Sequence, residues 1–303
     1  MSYEVSTTQD WTKQIQTSEE FTKGTTQVND TWKNIGIGTK LTETIAMTHE
    51  EIPLLGLADR YDDSLLEQHE TITIDWRLID TRWLRYCTEV PAGAGTIERT
   101  NSVLRGQKIN NVANNKVYKG CMCDSATINL DKMPSVSATY KIMSSTDWMT
   151  QAQTDTAIGG TTVPAPSLTT TPWTHLTSGI ATPFVYGAGS RDIEKGTITI
   201  NRNALEVMAL GNQTTRTLRS GFRRITFTFD TWVKDSALIG DVKAMTARTV
   251  TMQFFNTPIV LTLANCKFNS YTTDSDAGTG DIFKETLVGT AQTVSITSLT
   301  VAA

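Results

Sequence analysis

The chain has 303 residues, a formal net charge of −4, a pI near 5.5, 39% apolar residues and 19% charged residues. The length suits two domains of ordinary size, and the mild negative charge argues against general nucleic-acid affinity through phosphate neutralisation while being too small for a salt-adapted surface. No run of 18 apolar residues is present to span a membrane. The opening MSYEVSTTQDW lacks a basic region followed by an apolar run, and four cysteines (Cys87, Cys121, Cys123, Cys266) are too few for a disulfide scaffold, which points to a reduced cytosolic origin.

Threonine is the compositional outlier, with 53 residues, and it favours strands with one solvated face. The composition therefore predicts an all-β chain with short flanking helices. Residues 1–34 are a polar N-terminal arm carrying Trp11, Phe21 and Trp32, with Ser18-Glu19-Glu20-Phe21 able to start a helical turn. Either it is a partly disordered terminus or its aromatics dock on a neighbouring subunit. Residues 35–150 form a first β domain. Its clearest strand is Thr71-Ile72-Thr73-Ile74-Asp75-Trp76, preceded by a polar loop, Asp59 to His69, and followed by a candidate helix, Ile79 to Leu84. Val90 to Gly95 reads as a turn and the Asn-rich stretch Asn101 to Asn115 as exposed. Residues 151–190, which hold four of the eight prolines, read as a Thr/Pro/Gly-rich linker or loop. Residues 191–303 form a second β domain.

That second domain opens on Thr197-Ile198-Thr199-Ile200, breaks at Gly211-Asn212, passes a basic loop, Gln213 to Gly221, and returns in Ile225-Thr226-Phe227-Thr228-Phe229. Val233 to Ile239 is a candidate helix closed by Gly240. Period-two alternation buries Ile72, Ile74 and Trp76, and likewise Ile225, Phe227 and Phe229, and turns Thr71, Thr73, Thr226 and Thr228 to water or a channel. The order matches the first domain. Leu54-Leu55-Gly56 stands where Ala209-Leu210-Gly211 stands later, and Gly120-Cys121-Met122-Cys123-Asp124-Ser125 corresponds to Asn265-Cys266-Lys267-Phe268-Asn269-Ser270. An internal duplication at a domain-sized period follows.

The alternating run, the Leu-Gly break, the long polar loop and the second alternating run with its short helix resemble the tail tube proteins of tailed viruses. Tyr118-Lys119-Gly120-Cys121 leading into Ala126-Thr127-Ile128-Asn129-Leu130 is similar to the strand pair that follows in that family. The resemblance covers residues 35–145 and 190–303. It implies two tandem, duplicated tail-tube-like β-sandwich or barrel domains, each with a flanking helix. It further implies a structural virion subunit, found in the viral tail and assembled in the host cytoplasm, that forms rings stacked into a tube. The tube of the type VI secretion system uses the same fold. The partners implied are further copies of the chain, tape-measure, sheath and tail terminator proteins, and viral DNA passing through the channel without specific binding. Family rings contain six tube domains, so two per chain give a trimer with pseudo-sixfold symmetry; the alternative is a hexamer in which one half builds the wall.

The paired loops then become candidate inter-subunit contacts. Asp59, Asp62, Asp63, Glu67 and Glu70 make the first loop acidic, and Arg216, Arg219, Arg223 and Arg224 make the second basic. Complementary charge selects which half meets which.

Catalytic chemistry is not evident. Cys121-x-Cys123 puts two thiols on one strand face, but zinc needs four ligands, and small buried cysteines are the simpler reading. Gly36-Ile37-Gly38-Thr39-Lys40 is not a phosphate loop, because Lys follows Thr and a strand follows. Gly187-Ala188-Gly189 lacks the third glycine of a dinucleotide fingerprint. Asp62-Asp63 and Glu50-Glu51 are adjacent side chains that cannot face one reacting group. No cofactor or metal is expected. The second function class is a carbohydrate- or surface-binding virion module using exposed tryptophans, although Trp76 continues the Ile72-Ile74 face and is more simply core.

Overall fold

The structure, a computed structural model, describes residues 14–20, 33–34, 37–53, 60–77, 84–88, 100–109, 112–131, 134–157, 184–186, 189–190, 193–208, 215, 217–232, 237–254, 259–274 and 284–297. In chain order these are β1 (Gln14–Glu20), β2 (Lys33–Asn34), β3 (Ile37–Pro53), β4 (Arg60–Arg77), α1 (Leu84–Thr88), β5 (Thr100–Ile109), β6 (Val112–Leu130), β7 (Ser135–Lys141) and β8 (Ser144–Ser145). There follow α2 (Gln151–Ala157), β9 (Phe184–Tyr186), β10 (Gly189–Ser190), β11 (Ile193–Asn201), β12 (Leu205–Val207), β13 (Thr217–Arg219), β14 (Arg224–Trp232), α3 (Ala237–Ala244), β15 (Arg248–Phe254), β16 (Ile259–Asp274), β17 (Lys284–Ala291) and β18 (Thr293–Thr297). The fold is mostly β, built on one large antiparallel sheet.

Eight strands run side by side in the order β3-β4-β7-β6-β11-β14-β17-β16. Two smaller sheets branch from it, β2-β1-β5-β6-β8 and β10-β9-β15-β16-β18. The long strands β6 and β16 belong to two sheets each. The crossing point is a residue in the left-handed region, Gly120 (φ 64°) in β6 and Asn265 (φ 52°) in β16. Glycine suits this conformation because it has no Cβ, and here a Cβ would also fall 2.6 Å from Met143 Cγ. Asparagine tolerates it, and its Nδ2 donates to Gln292 Oε1 at 2.6 Å.

Pairing registers recur between the amino- and carboxy-terminal halves. Glu43 faces Ile72 and Ile198 faces Phe227, each partner 155 positions apart, and both pairings slip at the matching place, Gly38/Lys40 and Ile193/Lys195. Cys123/Ser125 in β6 and Phe268/Ser270 in β16, 145 apart, carry the same bulge. Ser137 Oγ donates to Asp75 Oδ1 at 2.5 Å, and Thr286 Oγ1 donates to Asp230 Oδ1 at 2.7 Å, in the corresponding positions.

The alternation seen in sequence is the burial seen in space. Ile72, Ile74, Trp76, Ile225, Phe227 and Phe229 are buried, and Thr71, Thr73, Thr226 and Thr228 lie on the other, half-exposed face. Phe227 stacks on Phe229 at 4.9 Å and meets Phe268 edge-on at 5.6 Å. Opposite it, Gly289 makes room: a Cβ there would lie 2.5 Å from the Phe227 ring.

Several local expectations are corrected. From Arg60 the expected polar loop is strand, because β4 pairs with β3 as far as Pro53. A two-stranded ribbon solvated on both faces needs no apolar alternation, and Thr44 to Thr48 are all exposed. Ser18 to Glu20 are strand rather than a helical turn, since β5 offers β1 a hydrogen-bonding edge. Thr100 to Leu104 are buried in β5, not exposed. The first helix begins at Leu84, with Ile79 to Trp83 outside the described residues, and α3 starts at Ala237 and runs through Gly240 to Ala244 instead of closing on the glycine. Segment 151–190 contains β9 and β10, which add to the β15 edge. Leu54-Leu55-Gly56 lies outside the described residues.

Replacing Phe227 by alanine removes two ring contacts and leaves a cavity. We expect a loss on the order of 3–5 kcal/mol, read by urea unfolding; a wild-type midpoint would show that this ring is not in the core.

Candidate functional site

The centre of the molecule is the seam where β11 joins β6. Six residue pairs make it, from Gly196 opposite Leu130 to Asn201 opposite Ser125. Ile128, Ile198, Ala126 and Ile200 are buried on its inner face, so apolar burial and backbone hydrogen bonds reinforce each other. At its end Arg202 N donates to Asp124 O and Ala204 N to Asp124 Oδ1, both at 2.7 Å. Arg202 is 3% exposed, and its Nη1 donates to Tyr86 O in α1 at 2.5 Å. Arg223, half-buried, donates to Thr88 O. Two cations of the carboxy-terminal half thus satisfy the last carbonyls of α1, which have no helical partner.

Beyond the seam, the β12–β13 hairpin folds back over the amino-terminal half. Its inner face packs Ala204 and Leu218 on Met122 and Met143. Glu206 is the latch. It pairs with His69, lies 3.4 Å from Lys141 Nζ and accepts from Thr215 Oγ1 at 3.1 Å. The hydrogen bond to Glu206 raises the His69 pKa; burial opposes it, and Glu67, 3.2 Å from Nε2, adds to it. The outer face shows Leu205 (57% exposed) and Val207, and Phe222 beside the hairpin is 83% exposed. Leu205–Arg219, Glu206–Leu218 and Val207–Thr217 repeat the register of Glu50–Ser64, Glu51–Asp63 and Ile52–Asp62, again 155 positions apart. In the second hairpin the strand is interrupted at residues 202–204, where Asn203 has φ 48°; in the first, β3 stays strand through the matching place, with a register slip at Thr48/His49.

The two ends of the eight-stranded sheet are β3 and the second part of β16. Among the described residues, β3 ladders only with β4, and β16 beyond Lys267 only with β17. Glu43 on β3 stands where Ile198 stands on β11. It takes Lys116 Nζ and the Tyr118 hydroxyl at 3.1 Å, with Arg105 at 3.9 Å. Burial pushes the Glu43 pKa up, but the hydrogen bonds with Lys116, Glu70 and Tyr118 and the Lys116 charge together outweigh it, and the net shift is down. Glu70, 3.5 Å from Lys116, moves up because burial dominates.

The sheet face opposite the core is a carpet of hydroxyls. Thr73, Thr127, Thr139, Thr199, Thr226 and Thr290 sit there half-exposed, and Thr73 and Thr139 bond across strands at 3.1 Å.

Of the residues that sequence singled out, Trp11, Phe21, Trp32, Asp59 and Arg216 lie outside the described residues. Asp62 and Asp63 are backbone positions of β4. Glu67 is exposed beside His69, and Glu70 is buried with Lys116. Arg219 and Arg224 are exposed, on β13 and at the start of β14, whereas Arg223 is engaged with α1 within the chain. Sequence reasoning missed Asp124, Arg202, Glu206, His69 and Glu43. Only Glu43 left a trace, a charge in the apolar phase of Leu41-x-Glu43-x-Ile45; His69 and Glu206 are 137 positions apart. Among the described residues no group of three or more His, Cys, Asp or Glu side chains is placed to hold a metal ion. No described helix is long and apolar enough to cross a membrane. Trp76 is core, Trp148 lies under Arg105 at 5.2 Å, and Trp232 lies under Lys284 at 4.9 Å.

A family model described as Phage tail tube protein matches residues 6–303. No curated protein matches the chain.

The latch carries a pH dependence. A histidine with a raised folded pKa contributes its full stabilisation below its ordinary value of about 6.5 and loses it as pH rises through the folded value. Hydrogen exchange in residues 205–219 should therefore be slower, relative to intrinsic rates, at pH 6 than at pH 8. His69→Ala should flatten that difference; an unchanged profile in the variant would remove His69 as its source.

Proposed function

The chain belongs to the phage tail tube protein family, and we propose that it is a structural subunit whose copies close head to tail into rings that stack as the tube of a viral tail. The observation that carries this reading is the β6–β11 seam. The order β3-β4-β7-β6 is followed across it by β11-β14-β17-β16, with matching registers and bulges. This supports two tandem copies of one tube domain, with β11 of the second adding to β6 of the first. The same join offered outward puts β3 of one chain on β16 of the next. That contact is heterologous, and it closes a ring when the rotation from one domain to the next divides a full turn. Two domains per chain make three chains the natural count, a trimer with pseudo-sixfold symmetry; a hexamer of whole chains is the alternative.

The outward register follows from the seam. Thr199 faces Thr127, and the corresponding residues are Thr44 in β3 and Thr272 in β16. Both are exposed. Thr44→Cys with Thr272→Cys should therefore cross-link neighbouring chains into a ladder ending at the ring size, while Thr44→Cys with Thr273→Cys should link poorly. Equal linking by both pairs would refute this register. Ring symmetry is read from negatively stained or frozen particles.

In such a ring the threonine carpet supplies the channel wall. Hydroxyls hydrogen-bond water and give passing phosphates no dense array of cations to hold them. The tube conducts the viral genome without binding it specifically and performs no catalysis. Its further partners are tape-measure, sheath and terminator proteins.

The acidic and basic hairpins set the order of halves round and between rings. Each exposed pair is worth only about 0–1 kcal/mol, so the selection comes from repetition and is screened by salt. Asp62→Arg with Asp63→Arg should block tube growth at low salt, as should Arg216→Asp with Arg219→Asp, and combining the reversals should restore some of it. Sedimentation of assembled tubes measures this; wild-type assembly by either reversal alone would defeat the charge-pairing idea.

A further inference from the structure

Two buried thiols face each other at the base of α1. Cys123 Sγ of β6 lies 3.3 Å from Cys87 Sγ of α1, and both are free and buried. The Tyr140 hydroxyl is 3.9 Å from Cys87, and Cys123 also donates to Ser125 O at 3.5 Å. A tube wall has no use for opposed sulfurs: any two small apolar residues would fill this space. A disulfide bond spans about 2.0 Å, so the pair needs an approach of little more than 1 Å to close.

We propose that Cys87 and Cys123 form an oxidation site that closes to a disulfide when the protein meets a hydroperoxide. The order of steps follows from the surroundings. The hydrogen bond from Cys123 favours the Cys87 thiolate, with Tyr140 and the Arg202 charge helping against burial, whereas the same contact and burial hold Cys123 protonated. The Cys87 thiolate attacks one peroxide oxygen. An S–O bond forms, the O–O bond breaks, and the departing hydroxide takes up a proton to become water, leaving a sulfenic acid. Cys123 sulfur then attacks Cys87 sulfur. The S–S bond forms, the S–O bond breaks, and hydroxide leaves with the Cys123 proton as a second water. Two thiols and one hydrogen peroxide give one disulfide and two waters; each sulfur loses one electron and the peroxide gains two.

The bond ties α1 to β6. Since α1 receives Arg202 and Arg223 from the other half, and β6 carries the seam, oxidation fastens the place where the halves meet. A chain folded in a reducing cytosol thus acquires its staple only in an oxidising medium. Cys266 supplies an internal control: it sits on β16 with its thiol donating to Leu263 O at 3.4 Å, and burial pushes its pKa up to about 12.

The test treats the reduced, purified full chain with hydrogen peroxide, alkylates it in denaturant and maps unreduced peptides by mass spectrometry. The expected product is a Cys87–Cys123 linked peptide, lighter by two hydrogens, with Cys266 recovered alkylated. The melting temperature should rise by roughly 5 °C or more and return on adding a phosphine reductant. Cys87→Ala and Cys123→Ala, made separately so that one unfolded variant leaves the other to decide, should each abolish the linked peptide. Recovery of Cys87 and Cys123 as free thiols or as sulfinic acids, or a link through Cys121 instead, would overturn the assignment.

Discussion

Every strand in a sheet presents backbone donors and acceptors on both sides, and an uncovered edge invites another strand. The architecture is arranged around that constraint. The edge of β6 beyond Ser125 would be the open end of the amino-terminal sheet, and β11 covers it with a ladder of six pairs. The residues that make the covering apolar, Ile198 and Ile200, are as buried as any in the molecule. Long strands economise further. By turning at Gly120 and Asn265, β6 and β16 each serve a wide sheet and a narrow one, so the core is enclosed without a separate set of strands.

Where the two halves differ, the difference tracks what lies beside them. Ile198 faces a strand of its own chain and is apolar; Glu43, at the corresponding place on the sheet's outer strand, is charged and held by Lys116 and Tyr118. A charge pointing along an outer strand discourages indiscriminate edge-to-edge association, while its partners keep it from being an unpaired buried group. The hairpins diverge in the same way. One keeps its strands continuous through a register slip at Thr48/His49; the other breaks at Asn203 and is latched by Glu206 to His69 and Lys141. Ionic latches of this sort are weak singly, so the apolar contact of Ala204 and Leu218 with Met122 and Met143 carries most of the holding.

The sequence was most legible where a strand has one wet face and one dry one. Ile72-x-Ile74-x-Trp76 and Ile225-x-Phe227-x-Phe229 revealed strand, face and register phase together. The offset between Cys121 and Cys266 marked the matching sheet crossings, because the residue before each must adopt a left-handed conformation. The polar ribbon of β3 and β4 stayed hidden, since a hairpin with water on both faces imposes no period. β1 was misread because its stability lies in the β5 edge rather than in its own residues. The seam and the latch were illegible for a further reason: Arg202 to Tyr86 and His69 to Glu206 join residues 116 and 137 positions apart, and no local pattern encodes such a meeting.

In the proposed assembly, carrying two tube domains on one chain changes the energetics. Each association between free chains costs translational and rotational freedom, of order 4–15 kcal/mol at standard state. A seam inside the chain escapes that cost, because its two sides are held at high effective concentration by the connecting polypeptide. Half of the seams in the proposed ring are then made during folding, and only the proposed β3–β16 contacts are left for assembly. The two kinds of seam are also free to diverge. The inner one can be as apolar as a core, as Ile128, Ile198 and Ile200 are, since it never has to be soluble alone. The outer one, in the proposed ring, must survive in water as two separate edges before it closes, and the exposed threonines of β3 and β16, with an ion-paired Glu43 among them, meet that requirement.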